Sequence, residues 1–149
     1  MKWQFKFIFS LMLILIIDQI IKSIFLNGFR FNGEWLSLIL VFNKGVAFSM
    51  FAFLADYLKY IQFLLLIIIF IYFYKEKFLF NAPIVSGILF GAGLSNLLDR
   101  FFREGVVDYI YYHGFFNFAV FNFADVMIDF SILMLIYKMI KKRDIENNA

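Results

Sequence analysis

Residues 57–74 read YLKYIQFLLLIIIFIYFY, and no charged side chain occurs from Phe63 to Phe73. A helix needs about 20 mainly apolar residues to cross the hydrocarbon core of a bilayer. This stretch therefore predicts a membrane-spanning helix from about Tyr57 to Tyr74. The whole chain is 64% hydrophobic with a mean hydropathy of +0.84, which is too apolar for an ordinary soluble domain.

Three further apolar segments surround this helix, at about Phe5–Leu26, Ala82–Leu98 and Ala124–Ile140. The first resembles a secretory signal, but no small-residue cleavage pattern follows it, so we expect a retained helix. The segment Ala82–Leu98 has Pro83 at its start, as helices often do, and is expected to end near Asp99. The sequence thus predicts an all-α membrane protein with four transmembrane helices, forming one domain over residues 1–149.

The basic residues near the ends of these helices predict the orientation of the chain. They are Lys2, Lys6, Lys75, Lys77, Lys138, Lys141, Lys142 and Arg143. With four crossings all of them fall on one side, which the positive-inside rule assigns to the cytoplasm, together with both termini. The formal charge of +3 then suits membrane phospholipid and topology, and we expect no nucleic-acid partner.

Two long loops, residues 27–56 and 99–123, would lie on the opposite side and hold most of the polar residues. Trp35–Phe42 and Val106–Tyr112 within them are rich in β-branched and aromatic residues, which is typical of strands. The sequence therefore predicts a small extracytoplasmic β element at the membrane surface.

Three acids, Asp18, Asp125 and Asp129, lie in segments apolar enough to span a bilayer. A charge at that depth is costly and commonly serves a site. Asp18 precedes Lys22 by four residues, the favourable order for a helical ion pair. This pair either neutralises itself and holds the first helix against its neighbours, or it also shapes a site.

The apolar segment Ala82–Leu98 carries two stripes at helical spacing. Gly87, Gly91 and Ser95 form a small-residue stripe that predicts close approach of another helix. Asn96 and Arg100 continue a second stripe from Gly93 to the outer end. Arg100 either extends to lipid headgroups or binds a carboxylate or lipid phosphate with its fork of donors.

Cysteine is absent, which excludes disulfides, thiolate metal sites and a cysteine nucleophile. His113 is the only histidine and is expected at the surface, so a histidine triad or a multi-histidine metal site has little support. We expect neither a metal nor a cofactor. After the first candidate strand, Asn43 and Gly45 are turn formers.

Asp108, in the second candidate strand, and Asp125, at the start of the last helix, both belong at the outer boundary in the four-helix arrangement. Two carboxylates that share a site do not both ionise easily, so the pair can act as base and acid at once. That suits hydrolysis of an amide without a metal. On spacing alone, a simpler interpretation remains, in which Asp125 caps its helix and Asp108 faces water.

Five motifs occur in order along the chain. They are Asp18-Gln-Ile-Ile-Lys22, Asn43-Lys-Gly45-Val-Ala-Phe-Ser49, Gly91-Ala-Gly93-Leu-Ser-Asn96-Leu-Leu-Asp99-Arg100, Gly105-Val-Val-Asp108-Tyr and Phe121-Asn122-Phe-Ala124-Asp125. Their order, with the topology and length, closely resembles the bacterial lipoprotein signal peptidase family, also called signal peptidase II. These are four-helix intramembrane aspartyl endopeptidases, and the resemblance covers nearly the whole chain.

The resemblance implies removal of the signal peptide from diacylglyceryl-modified prolipoproteins, immediately before the lipidated cysteine, at the extracytoplasmic face of the bacterial inner membrane. It implies that Asp108 and Asp125 are the catalytic pair and that a monomer acts without a cofactor. Other positions match residues that bind substrate or shape the family's site. They are Asp18, Lys22, Asn43, Gly45, Asn96, Arg100 and Asn122.

The chain departs from the family pattern at Lys44, where threonine is common, and at Ser95, where glycine is common. Asp129 lies outside the pattern, one turn after Asp125, and either accepts a hydrogen bond from a neighbouring helix or raises the proton affinity of Asp125. Two other functions are weighed against the peptidase. One is a proton-coupled transporter or channel, and the other is a noncatalytic lipid-binding or assembly protein.

Overall fold

The computed structural model describes residues 2–45 and 54–147. Within these ranges five helices and three strands follow one another. They are α1 (Trp3–Leu26), β1 (Phe31–Asn32), β2 (Leu36–Asn43), α2 (Ala55–Lys75), α3 (Phe78–Asn81), α4 (Pro83–Phe102), β3 (Val106–Tyr112) and α5 (Phe123–Asn147). The protein is therefore mainly helical with a small sheet, as the sequence predicts.

Helix α4 lies at the centre and packs most closely against α1. A Cβ atom on Gly87 would lie 2.4 Å from the carbonyl oxygen of Phe7, and one on Gly91 would lie 2.4 Å from that of Leu11. Real side chains do not approach a backbone that closely, so only glycine permits this contact. The close approach predicted from the small-residue stripe is confirmed.

The three strands form an antiparallel sheet in the order β1-β2-β3, with an irregularity in β2 between Leu38 and Val41. This sheet covers the end of α1, where the ring of Tyr109 stacks on Phe25 with centroids 4.1 Å apart. Val107 beside them is fully buried. The sheet is thus fixed to the helices, and β3 is held over the start of α5.

At the opposite end of the helices the core is apolar. Phe73, Leu79, Phe90 and Leu135 are buried there, where α2, α3, α4 and α5 meet. Helix α2 contributes little else to the interior, because most of its large apolar side chains are exposed, as with Leu64 at 58%.

The predicted boundaries need several corrections. Helix α4 does not end near Asp99 but continues to Phe102, and α5 continues past Ile140 to Asn147. The short helix α3 and the two-residue strand β1 had no clear signal in the sequence. Two helices, Trp3–Leu26 and Asp56–Lys75, are long and apolar enough to cross a membrane, with mean hydropathies of 2.1 and 1.9 over the described residues.

Candidate active site

Asp108 lies in β3 opposite Val41, and its side chain points inward. It is only 2% exposed, so the interpretation in which it faces water is wrong. Its two oxygens accept hydrogen bonds from Asn43 Nδ2 at 2.9 Å and from Asn122 Nδ2 at 2.7 Å. The strand therefore supplies a buried carboxylate that two amides hold in place.

Asp125 belongs to the first turn of α5, where it does cap the helix. Its Oδ2 accepts from the backbone N–H of Asn122 at 3.0 Å, while Asn122 Oδ1 accepts from the backbone N–H of Asp125 at 2.9 Å. This reciprocal pair is a capping box, which satisfies two backbone donors at the helix start. The remaining oxygen, Oδ1, accepts from Asn96 Nδ2 at 2.8 Å, so capping and placement in the site occur together.

Asn122 joins the two carboxylates. Its side-chain amide donates to Asp108 and, at 3.1 Å, to Asn96 Oδ1, while its backbone N–H donates to Asp125. It is fully buried, so water does not compete for these contacts. One residue therefore fixes the relative position of the two acids.

Both acids line one cavity of about 270 Å³ between α2, α4 and the sheet. The other residues that line it are Asn43, Leu58, Ile61, Gln62, Leu65, Asn96, Arg100 and Val106. The polar groups come from β2, β3, α4 and the start of α5, together with Gln62 of α2, and the apolar ones come mainly from α2. The cavity can thus present two carboxylates to a polar group carried by an apolar molecule.

Burial, and after it the nearby Asp125 carboxylate, raises the pKa of Asp108 to about 7. The hydrogen bonds from Asn43 and Asn122, together with the charge of Lys22, act in the opposite direction but only in part. A carboxyl group with this pKa exchanges a proton near neutral pH, which general acid–base catalysis requires.

Arg100 contacts groups of two other elements of the protein. Its Nε donates to Gln62 Oε1 at 3.0 Å, and its Nη2 donates to the carbonyl oxygen of Gly45. Gly45 N–H in turn donates to Asn43 Oδ1 at 3.0 Å, which confirms the turn predicted there. The guanidinium therefore ties α4 to α2 and to the end of β2. Residues 46–49 of this motif lie outside the described part of the chain.

Asp18 and Lys22 form the predicted ion pair, with Nζ and Oδ2 2.7 Å apart and both side chains fully buried. Lys22 also lies 2.7 Å from Asp99 Oδ2 and donates to Asn96 Oδ1 at 2.8 Å. Asp18 Oδ1 accepts from the backbone N–H of Ala124 at 3.0 Å. The pair thus binds the same residues that hold Asp125.

Sequence reasoning missed four residues of this region: Gln19, Gln62, Asp99 and Arg103. Asp99 precedes Arg103 by four residues, the same acid-first spacing that identified the Asp18 pair. Gln62 is the single amide in the apolar run of α2. Both signals were present in the sequence.

Two other predictions need comment. His113 is half-buried, and its Nε2 lies 2.8 Å from Ser37 Oγ, so it is not a plain surface residue. Asp129 is exposed on α5 and makes no hydrogen bond or ion pair with the described residues, so it neither binds a helix there nor contacts Asp125. Within the same residues, no group of three or more acidic or histidine side chains suits a metal ion.

This chain is similar to known proteins in sequence and in fold. The family model described as signal peptidase (SPase) II matches residues 10–141. A lipoprotein signal peptidase from Helicobacter pylori (strain P12) is 52% identical over 89% of this chain and 85% of its own. One from Campylobacter jejuni (strain 81116) is 48% identical over 93% of both chains.

Two solved structures, both described as bacterial membrane enzymes, share the fold. Their TM-scores are 0.75 and 0.72 at 24% sequence identity, and they cover 92% and 91% of this chain. Because the family match spans most of the sequence and includes both acids, the chain belongs to the signal peptidase II family.

Proposed function

We propose that this chain is an intramembrane aspartyl endopeptidase that removes the signal peptide from diacylglyceryl-modified prolipoproteins, immediately before the lipidated cysteine. The observation that carries the proposal is the pair Asp108 and Asp125, held by Asn122 at one cavity. The named relatives are lipoprotein signal peptidases. Two carboxylates with one shared proton are sufficient for amide hydrolysis without a metal.

In the proposed reaction one ionised carboxylate of the pair removes a proton from water, and the resulting hydroxide attacks the scissile carbonyl carbon. The other, protonated carboxyl donates its proton to the leaving nitrogen when the C–N bond breaks. A base with a pKa near 7 is well matched to neutral pH, and Asp108 has such a pKa. Asn43, Asn96 and Asn122 would hold the two carboxyl groups in the same relative position while the proton is transferred.

A second cavity offers space for the lipid and the signal helix. It measures about 570 Å³, lies between α2, α4 and α5, and shares Gln62 and Leu65 with the cavity of the acids. Side chains such as Phe73, Phe90 and Ile132 line it, and apart from Gln62 its side chains are almost entirely hydrocarbon. Each methylene buried there stabilises binding by roughly 0.8 kcal/mol. We call it the apolar groove.

We further propose that α1, α2, α4 and α5 each cross the inner membrane, with both termini in the cytoplasm and the acids at the extracytoplasmic boundary. The hydropathy of α1 and α2 and the basic residues near the helix ends support this topology. The whole chain would form one domain that works as a monomer. Helix α4 has a lower hydropathy because of polar residues of the site such as Asn96, Asp99 and Arg100, and α5 because of Asp125, Asp129 and the charged residues at its end.

A proton-coupled transporter or channel is not favoured. A relay needs ionisable groups along the whole path across the membrane. The buried carboxylates gather at one end of the helices, whereas the side chains packed around Phe73, Leu79 and Phe90 at the other end are apolar.

The test of the substrate class uses two forms of one precursor peptide, with and without the diacylglyceryl group on its cysteine. The purified, reconstituted protein should cleave the lipidated peptide before the cysteine at a rate at least about tenfold higher, because the acyl chains place the amide beside the acids. A peptide with serine in place of the cysteine lacks the side chain that carries the diacylglyceryl group, and it is the control for lipid attachment at that position. Equal rates on the two forms would mean that lipid is not recognised.

A further inference from the structure

Arg103 is the residue directly after α4, and its backbone is extended, so its side chain turns back towards the helix. Its Nη1 forms an ion pair with Asp99, and its Nη2 donates to Gln19 Oε1 at 3.0 Å. The side chain is 24% exposed, and it does not line the cavity of the two acids. Two chains of contacts lead from it to Asp125.

The first chain runs through side chains with a fixed direction of donation. Gln19 Nε2 donates to Ser95 Oγ at 2.8 Å, and Ser95 Oγ donates to Asp18 Oδ2 at 2.6 Å. Asp18 Oδ1 then accepts from the N–H of Ala124, the residue before Asp125. Because Arg103 donates to Gln19 Oε1, the amide nitrogen must face Ser95. Arg103 therefore reinforces the orientation of Gln19, whose amide nitrogen also donates to Asp99 Oδ1 at 3.1 Å and to the Ser95 carbonyl oxygen at 3.3 Å.

The second chain runs through charges. Asp99 lies between Arg103 and Lys22, Lys22 donates to Asn96 Oδ1, and Asn96 Nδ2 donates to Asp125 Oδ1. The direction is again fixed, since an ammonium only donates and Asn96 offers its nitrogen to the acid.

The charged groups Asp18, Asp99 and Lys22 are balanced only if Arg103 is counted with them. Asp18 and Asp99 are matched by Lys22 and Arg103, and the side chains of the first three are fully buried. Without the guanidinium, two buried carboxylates would share one ammonium. A buried charge without a partner is strongly unfavourable and repels further negative charge nearby.

We propose that Arg103 is a positioning residue for peptide cleavage: through these two chains it fixes the first turn of α5 and keeps the charge next to Asp125 neutral. This inference rests on the proposed function. Arg103 does not line the cavity of the two acids, so it should affect turnover and its pH dependence and leave substrate binding unchanged.

Other charged and titratable groups surround this path. Asp125 is faced by Asp18 and Lys22 from α1, Asp99 and Arg100 from α4, and Asp108 from β3, while α2 contributes the neutral Gln62. Arg103 itself borders a polar cavity with Lys44, Asp56, Lys59 and Glu104. The substitution of Arg103 leaves all of these unchanged, so a change in the pH profile is attributable to its charge.

The experiment measures kcat and KM for the lipidated peptide from pH 5 to 9 in the full-length, reconstituted protein. In Arg103→Gln, kcat should fall roughly tenfold with KM unchanged, and the limb on which the base ionises should move up by about half a pH unit. Arg103→Lys should restore the position of that limb. Arg30→Gln removes an arginine that donates only to the backbone at Phe25 and Phe29 and should match wild type.

If Arg103→Gln keeps wild-type kcat and an unmoved limb, the inference is overturned. If that variant does not fold, Gln19→Met decides, because it interrupts the first chain without a change of charge: kcat should fall several-fold with the limb in place, and unchanged kcat overturns the inference. Failure of wild-type protein to cleave the lipidated peptide would instead contradict the proposed function.

Discussion

Helices α2 and α4 are both long and rich in apolar residues, yet they occupy opposite positions in the molecule. Eleven residues of α4 are buried, including the polar Ser95, Asn96 and Asp99. Among the side chains of α2 that the structure describes, only Leu58 and Phe73 are buried, and most of the others are exposed to the surroundings. Both cavities lie along α2, between it and the rest of the protein. Helix α4 is thus the fixed centre, and α2 is the outer wall.

Hydropathy alone identifies the outer helix α2 as a membrane span but does not identify the central helix α4. Helix α2 is apolar enough to span a membrane by composition, whereas α4 does not reach the same threshold among the described residues. The residues that lower its hydropathy are those that bind Asp125, Lys22 and Asp18. Helix α4, which organises the polar site, is therefore less apolar than α1 and α2.

The largest difference should come from adding one methyl group to each face of α4. In Gly91→Ala the new Cβ would lie 2.4 Å from the backbone oxygen of Leu11 in α1, and a backbone cannot give way cheaply. We expect a loss of about 2 kcal/mol or more in stability and little folded protein. In Gly93→Ala, the matched control, the nearest atom is Leu66 Cδ2 at 2.9 Å, which can rotate away.

Thermal unfolding in detergent and the yield of monodisperse protein measure this difference. Equal stability of the two alanine variants would mean that the α1–α4 contact is no more rigid than the α2–α4 contact.

Arg100→Lys tests the link between the centre and the wall. Lysine keeps the charge but cannot hold Gly45 and Gln62 at once with a planar fork, so turnover should fall roughly tenfold. Arg30→Lys, outside the cavity, serves as the control in the same peptide assay. Full activity of Arg100→Lys at all substrate concentrations would show that the fork is not needed.

The raised pKa of Asp108 predicts a pH dependence of stability. With a pKa of 3.8 when unfolded and about 7 when folded, the folded protein retains a proton that the unfolded chain releases. The resulting stabilisation is fully present below about pH 4 and is lost as the pH rises to about 7. Asp108→Asn has no such proton, so its Tm should fall less over this range than that of wild type. Parallel Tm curves would contradict the raised pKa.

The smallest effect is expected from a substitution in α2. Leu65 borders both cavities, and Leu65→Trp should narrow the passage between them and raise KM several-fold with little change in kcat. Leu64→Trp adds the same bulk to the exposed outer side of α2, where Leu64 lines none of the cavities described, and should leave KM unchanged. Equal KM values in both variants would place substrate elsewhere.

Much of the fold was predictable because its signals are local. Apolar runs located the four long helices, the Gly87 and Gly91 spacing predicted that another helix would pack closely on α4, and β3 was predicted from Val106 to Tyr112 as observed. That the partner helix is α1 came from the structure. Helix ends were predicted less well. The sequence treats Asp99 as a polar stop, but in the fold its carboxylate is paired with Lys22, so the helix continues.

The site was predictable only in part, since it depends on pairings between distant residues. Asp108 and Asp125 were identified by residue type and by resemblance, but spacing did not reveal that Asn122 would bridge them. Nor did it reveal that Lys22 would have two carboxylate partners. Both depend on how β3 crosses the start of α5, which tertiary packing decides.

In the proposed mechanism Asp108 and Asp125 together cleave the peptide bond without a metal. The most direct measurement is single-turnover cleavage of the lipidated peptide by wild type, Asp108→Asn and Asp125→Asn, each confirmed as folded by its Tm and each with and without EDTA. Asparagine has nearly the same shape but cannot carry the proton, so each variant should lose at least about a thousandfold in rate, and EDTA should change nothing. Cleavage that survives either substitution, or that EDTA abolishes and zinc restores, would contradict the two-aspartate mechanism.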